Sequence, residues 1–174
     1  MTHSKSNPST PAESLPTKLD RLMMRRALEL AEEASALGEV PVGAIVYDTA
    51  TGDILASAHN TREMHQNPAG HAEFTAITQA CQSIADWRLN HCTLVVTLEP
   101  CPMCAGLIVN SRIGRLVYGA SDPKAGAVRT LYQLCDDPRL NHRCQIIPRL
   151  EETQCSQQLK DFFRSLRDRS KSNP

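Results

Sequence analysis

The sequence predicts an α/β fold of three layers, with helices covering both faces of a mixed sheet of about five strands. Three observations carry that reading. Segments with apolar residues at helical spacing alternate with short β-branched runs, an order that sets helices against both sides of one sheet. A length of 174 residues, or 19.2 kDa, suits one domain and is short for two. Hydrophobic residues reach 41 % while aromatic residues stand at 4 %, so aliphatic side chains must fill the core. Such a domain buries roughly two-thirds of its unfolded surface and needs no disulfide framework.

Residues 1–17 are rich in Ser, Thr, Pro and Asn and predict a disordered N-terminal tail. Leu19, Met23, Ala27, Leu30, Ala34 and Leu37 recur at helical spacing, predicting a helix from Lys18 to Leu37 that Gly38 ends. Val42–Tyr47 and Ile54–Ala58 are short apolar runs joined through Thr51-Gly52, a hairpin signal. A polar loop follows, and then a helix is expected from His71 to about Ile84. Cys92–Leu98 reads CTLVVTL, the composition of a central strand. Pro100 breaks it, and helix formers resume from Cys101 to Val109. Arg115–Tyr118 and the weaker Gln145–Ile147 complete the sheet. Glu151–Asp168 is the last helix, and residues 169–174 read as a tail. One domain is therefore expected over residues 18–168.

Lys and Arg balance Asp and Glu at 19 each, which excludes a polybasic or polyacidic chain. The balance hides an asymmetry. Residues 1–109 carry 7 basic and 12 acidic side chains, whereas residues 110–174 carry 12 and 7. A basic second half is compatible with an anionic partner there. No apolar run approaches the length of a membrane span, and the polar N-terminus lacks a signal-peptide core. A soluble cytoplasmic protein, with no membrane partner, is the expectation.

Seven cysteines, an odd number without repeating spacing, predict reduced thiols rather than a cystine scaffold. Only Cys101 and Cys104 stand at close ligand spacing; the other five read as small buried hydrophobes. His71-Ala72-Glu73 and Pro100-Cys101-Pro102-Met103-Cys104 each sit where a loop or strand hands over to a helix. Two cysteines in a first helical turn lie beside each other and beside unpaired amides, whose field favours the thiolate that binds metal. With one imidazole they make three ligands, one short of a closed tetrahedral zinc site, and an open position marks a catalytic zinc. Zinc lowers the pKa of bound water toward neutrality. Glu73, two residues beyond His71, can take and return the proton.

Duller readings compete. Cys-x-x-Cys could be a redox dithiol, but that leaves His71 and Glu73 without a role. Cys81, His91 or Cys92 could close a structural site by residue type. His91 and Cys92, however, begin the strand whose far end leads to Cys101, some 25 Å away at about 3.3 Å per residue.

His-x-Glu with Pro-Cys-x-x-Cys is a known signature of zinc-dependent nucleobase deaminases, tRNA-type adenine deaminases among them. The chain resembles the bacterial tRNA-specific adenosine deaminase family. Glu39-Val-Pro-Val-Gly-Ala44, Asn60, Thr97–Gly106, Ser111-Arg-Ile-Gly-Arg115, Tyr118-Gly-Ala120, Leu140-Asn-His-Arg143 and Asp161-Phe-Phe163 carry the likeness, together with the two motifs. It implies a cytidine deaminase-like fold, with Zn2+ held by His71, Cys101 and Cys104, one per subunit, and Glu73 as proton shuttle. Asn60 matches a position that hydrogen-bonds the flipped-out base, and Phe162 and Phe163 match the RNA side of the pocket. The implied reaction is hydrolysis of adenosine to inosine at the wobble position of a tRNA anticodon, by a cytoplasmic homodimer. Arg112, Arg129 and Arg143 are candidate phosphate contacts. A deaminase of free guanine- or cytosine-type bases or nucleosides shares the metal motif. The basic second half and the charged last helix disfavour it. A non-catalytic zinc protein is disfavoured by the intact Glu73.

Overall fold

A computed structural model describes residues 15–172. In chain order the elements are α1 (Lys18–Ala36), β1 (Gly43–Asp48), β2 (Ile54–His59), α2 (Ala72–Ile84), β3 (Cys92–Leu98), α3 (Pro102–Asn110), β4 (Arg115–Ala120), β5 (Gln145–Ile147) and α4 (Glu152–Ser172). The five strands form one sheet in the order β2-β1-β3-β4-β5. β1 runs antiparallel to both β2 and β3, whereas β3, β4 and β5 run parallel. The expected mixed, five-stranded sheet with helices on both sides is what forms.

Period-two alternation sorts the strands between two cores. Ala44, Val46, Leu94, Val96, Leu116 and Tyr118 face α2 and α3, packing on Ala76, Ile77 and Ile108. Ile45, Tyr47, Val95 and Val117 face the opposite way, onto Met23, Met24 and Ala27 of α1 and Cys155 of α4. β3 is buried along nearly its whole length, as its unbroken apolar sequence requires. α1 lies close against β1, since a Cβ on Gly43 would stand 2.1 Å from the Ala27 carbonyl oxygen.

Both ends of α1 are specified locally. Thr17 and Asp20 form a reciprocal capping box at its start. At its end Gly38 takes a left-handed φ of 83°, and the amides of Gly38 and Glu39 return to the carbonyls of Ser35 and Ala34. Asp20 also ties the helix to the sheet. Its carboxylate accepts from both terminal nitrogens of Arg115 on β4 and, at 2.7 Å, from the Tyr47 hydroxyl on β1. All three side chains are buried.

Of the expected N-terminal tail, residues 1–14 lie outside the described residues, and Thr17 is the N-cap of α1. The expected C-terminal tail needs correction, because α4 continues four residues past Asp168 to Ser172. Arg169 and Lys171 lie in the last turn, where cations complement the helix dipole. Residues 173 and 174 lie outside the described residues.

Candidate active site

The site is built at the starts of α2 and α3, side by side on one face of the sheet. His71 is the N-cap of α2, in extended conformation, and its ring is not used for capping. Cys101 is the N-cap of α3, Pro102 follows at the first helical position, and Cys104 falls one turn in. This places the His71 Nδ1 atom 3.7 Å from the Cys101 Sγ and 3.6 Å from the Cys104 Sγ. All three donor atoms lie within 4.8 Å of one another. Zinc–sulfur bonds of about 2.3 Å and zinc–nitrogen bonds of about 2.0–2.1 Å give tetrahedral donor–donor edges of about 3.5–3.8 Å. The cluster therefore fits that ion. Neither Cys81, His91 nor Cys92 joins it among the described residues.

The electrostatics of the donor set agree. Hydrogen bonds from Cys104 and His71 bring the Cys101 thiol down to about 4, overcoming its burial. Cys104 is pushed up, first by its bond to Cys101 and then by burial. One thiolate is thus stable in the protein's own field, and a cation between the sulfurs is what favours two. The hydrogen bond with Cys101 holds the His71 imidazole above its ordinary range, although burial opposes it.

Glu73 lies in the first turn of α2 and is buried. Desolvation raises its carboxyl above the usual range, and negative charge on Cys101 adds to the effect. Asn60, His71, Glu73 and Cys101 line one cavity of about 220 Å³, with Val40 and Leu98 as apolar wall and Arg62 and Asp122 as charged neighbours. Asn60 is oriented by Glu39, itself buried, whose carboxylate accepts from the Asn60 amide at 3.0 Å and from the Met64 amide at 2.6 Å.

Phe162 and Phe163 do not line this cavity. Phe162 is 4 % exposed and meets Phe163 edge to face, with ring centroids 5.4 Å apart. Phe163 is 42 % exposed and borders a groove with Lys124, Lys160 and Arg167. Among the arginines, Arg129 is engaged by Asp136 at 2.8 Å and Arg112 by Asn141 at 2.6 Å. Arg115 is internal, bound to Asp20. Sequence reasoning missed the buried carboxylates Glu39 and Glu99. Their partners come from distant segments and are largely backbone amides, which leave no local signal in the sequence.

The chain matches the MafB19-like deaminase family over residues 19–167. It is 44 % identical over 153 residues to the tRNA-specific adenosine deaminase of Bacillus subtilis, covering 88 % of this chain and 94 % of that one. The chain belongs to the tRNA-specific adenosine deaminase family. A member from Haemophilus influenzae is also 44 % identical, over 155 residues and 89 % of each chain. A solved structure from work on tRNA:A34 deaminases and A-to-I editing at the wobble position superposes with a TM-score of 0.75. It is 36 % identical and covers 79 % of this chain and 99 % of that one. The family's deaminase fold and the donor cluster therefore occur together here.

Proposed function

We propose that the chain hydrolyses adenosine to inosine at the wobble position of a tRNA anticodon, with one Zn2+ per subunit. The observation that carries this reading is the buried carboxylate of Glu73 beside the His71, Cys101 and Cys104 donors, inside a cavity that also presents Asn60. A base extruded from a loop can enter such a cavity, and a stacked base cannot. When bound, zinc supplies activation of water at neutral pH.

The remaining work falls to side chains. Glu73 takes one proton as water adds to carbon 6 of adenine and passes it to the ring nitrogen. It then takes the second proton from the new hydroxyl and passes it to the amine, which departs as ammonia to leave the inosine carbonyl. Burial of Glu73 supports this role, since desolvation raises the carboxyl above its usual range and so favours uptake of a proton. Asn60, held by Glu39, hydrogen-bonds the base. The exposed ring of Phe163 offers a stacking face to an unpaired nucleotide, and Lys124, Lys160 and Arg167 beside it suit phosphates. Phe162 contributes by holding that ring from beneath.

The homodimer that the family resemblance implies is part of this reading. Among the described residues no helix is long and apolar enough to cross a membrane, and a tRNA substrate supports a cytoplasmic location.

The test is incubation of the zinc-loaded protein with an arginine tRNA transcript bearing adenosine at the wobble position, read by sequencing for inosine. Free guanine, free cytosine and their nucleosides serve as parallel substrates. Inosine confined to the wobble position supports the reading. Turnover of a free base or nucleoside with none of the tRNA overturns it in favour of a small-molecule deaminase.

A further inference from the structure

Glu99 lies at the end of β3, two residues before the ligand Cys101, and is only 2 % exposed. Its carboxylate takes no part in the donor cluster. Five donors from one loop converge on it instead. The amides of Val128, Arg129 and Thr130 reach one oxygen at 3.1, 2.7 and 2.9 Å. The Asp122 amide reaches the other at 3.1 Å, joined there by the Thr130 hydroxyl. Gly126 completes the fit, because a Cβ at that position would lie 2.5 Å from a Glu99 oxygen. The loop over residues 122–130 is thus wrapped around a buried anion.

That loop forms part of the catalytic cavity. Asp122 and Ala125 line it, and Lys124 between them borders the groove beside Phe163. The main chain adds a further tie, from the Ala127 amide to the Pro100 carbonyl at 2.8 Å. A side chain rooted next to a metal ligand therefore sets where the opposite wall stands relative to that ligand.

We propose that Glu99 is a positioning residue, whose carboxylate fixes the 122–130 loop as the wall against which the adenosine and its flanking nucleotides seat. The proposal rests on the tRNA deaminase reading for its substrate. It concerns seating rather than proton transfer, so its loss falls on KM more than on kcat. Hydrogen bonds to a charged group are worth roughly 10- to 100-fold in an equilibrium. Glu99→Gln replaces an acceptor oxygen by an amide that faces backbone donors. We expect KM for the tRNA to rise about 10- to 100-fold, with kcat changed less than about threefold and zinc content retained.

Thr130 supplies the milder control. Thr130→Val removes the hydroxyl at nearly constant volume and should raise KM about fivefold. Thr130→Ser keeps the donor and should stay within about twofold of wild type. Amide exchange across residues 126–130, measured on the same zinc-loaded proteins, needs no turnover. Faster exchange there in Glu99→Gln and Thr130→Val, with α2 and α3 still protected, supports the inference. Unchanged exchange overturns it, as does a serine variant that behaves like valine or a KM change that follows zinc loss. A wild type inactive on tRNA with the expected exchange pattern would count against the substrate reading and leave the loop assignment supported.

Discussion

Asp20→Ala should be among the most destabilising single changes outside the catalytic cavity. The carboxylate accepts two bonds from Arg115, one from the Tyr47 hydroxyl and one from the Thr17 amide, at full burial. Its removal strands a guanidinium whose side chain is 9 % exposed, and it also opens the capping box of α1. Breaking a buried ion pair from one side costs about 3–5 kcal/mol, mainly through the charge left behind. In a domain of this size each kcal/mol moves Tm by about 2–4 °C, so a drop of about 6–20 °C is expected. Urea unfolding at pH 7 measures the free energy directly. The Asp20→Leu, Arg115→Met double variant removes both charges and should regain much of the loss, because a well-packed apolar replacement can be nearly neutral.

The pH dependence has a definite sign. Burial opposes the charge on Asp20, but the bonds from Arg115, Thr17 and Tyr47 hold its carboxyl below the ordinary 3.8. The stabilisation is therefore complete above pH 3.8 and is lost as pH falls through the lower, folded value. Asp20→Ala should flatten the acid limb of the stability profile in that window. A loss under about 1 kcal/mol at pH 7, or an unchanged acid limb, would show that the pair does not hold α1 to the sheet.

Three further outcomes are expected. Cys101→Ser and Cys104→Ser should each lose zinc, measured by metal analysis against a wild type holding one ion per chain; full retention in both would refute the ligand set. Glu73→Gln keeps shape and zinc but cannot take up the proton, so single-turnover inosine formation should fall at least about 10²–10⁴-fold. Activity within about tenfold of wild type would end the proton-shuttle assignment. Lys160→Ala and Arg167→Ala should weaken tRNA binding, flatten its dependence on salt and leave zinc content unchanged, because each contact removed releases fewer counterions. An unchanged salt slope would move the RNA surface away from the Phe163 groove.

Much of the fold was legible because burial leaves a periodic mark. The β3 and β5 bounds agree with the apolar runs that suggested them, and α1 starts at Lys18, where the helical periodicity placed it. β4 runs two residues longer than expected, through Gly119 and Ala120. Glycine weakens a strand signal, yet here it is where α4 touches the sheet, since a Cβ would lie 2.3 Å from the Cys155 sulfur. The end of α4 was misjudged because a solvated helix end has no apolar stripe to mark it. In the site, the convergence of His71, Cys101 and Cys104, with Glu73 in the same cavity, could be read because close ligand spacing at helix starts implies it. Glu99 could not, as its partners are mostly backbone amides about 30 residues away, and amides have no sequence identity. Arg115 entered through a motif of the second half, but its partner is 95 residues earlier, on α1.

That separation orders the steps by which a nascent chain can become protein. α1 emerges first, but Arg115, which locks Asp20, is made 95 residues later, and Cys155, which meets Met24, a further 40 residues on. At about 5–20 residues per second, α1 waits roughly 5–20 s for β4 and several seconds more for α4. During that interval Met23, Met24, Ala27 and Leu28 have only Ile45, Tyr47 and Val95 of β1 and β3 to cover them, without Val117 of β4 or Cys155 of α4. The first of the described helices is among the last elements to be fully secured. The newborn polypeptide therefore carries α1 only partly covered until its own C-terminal half arrives.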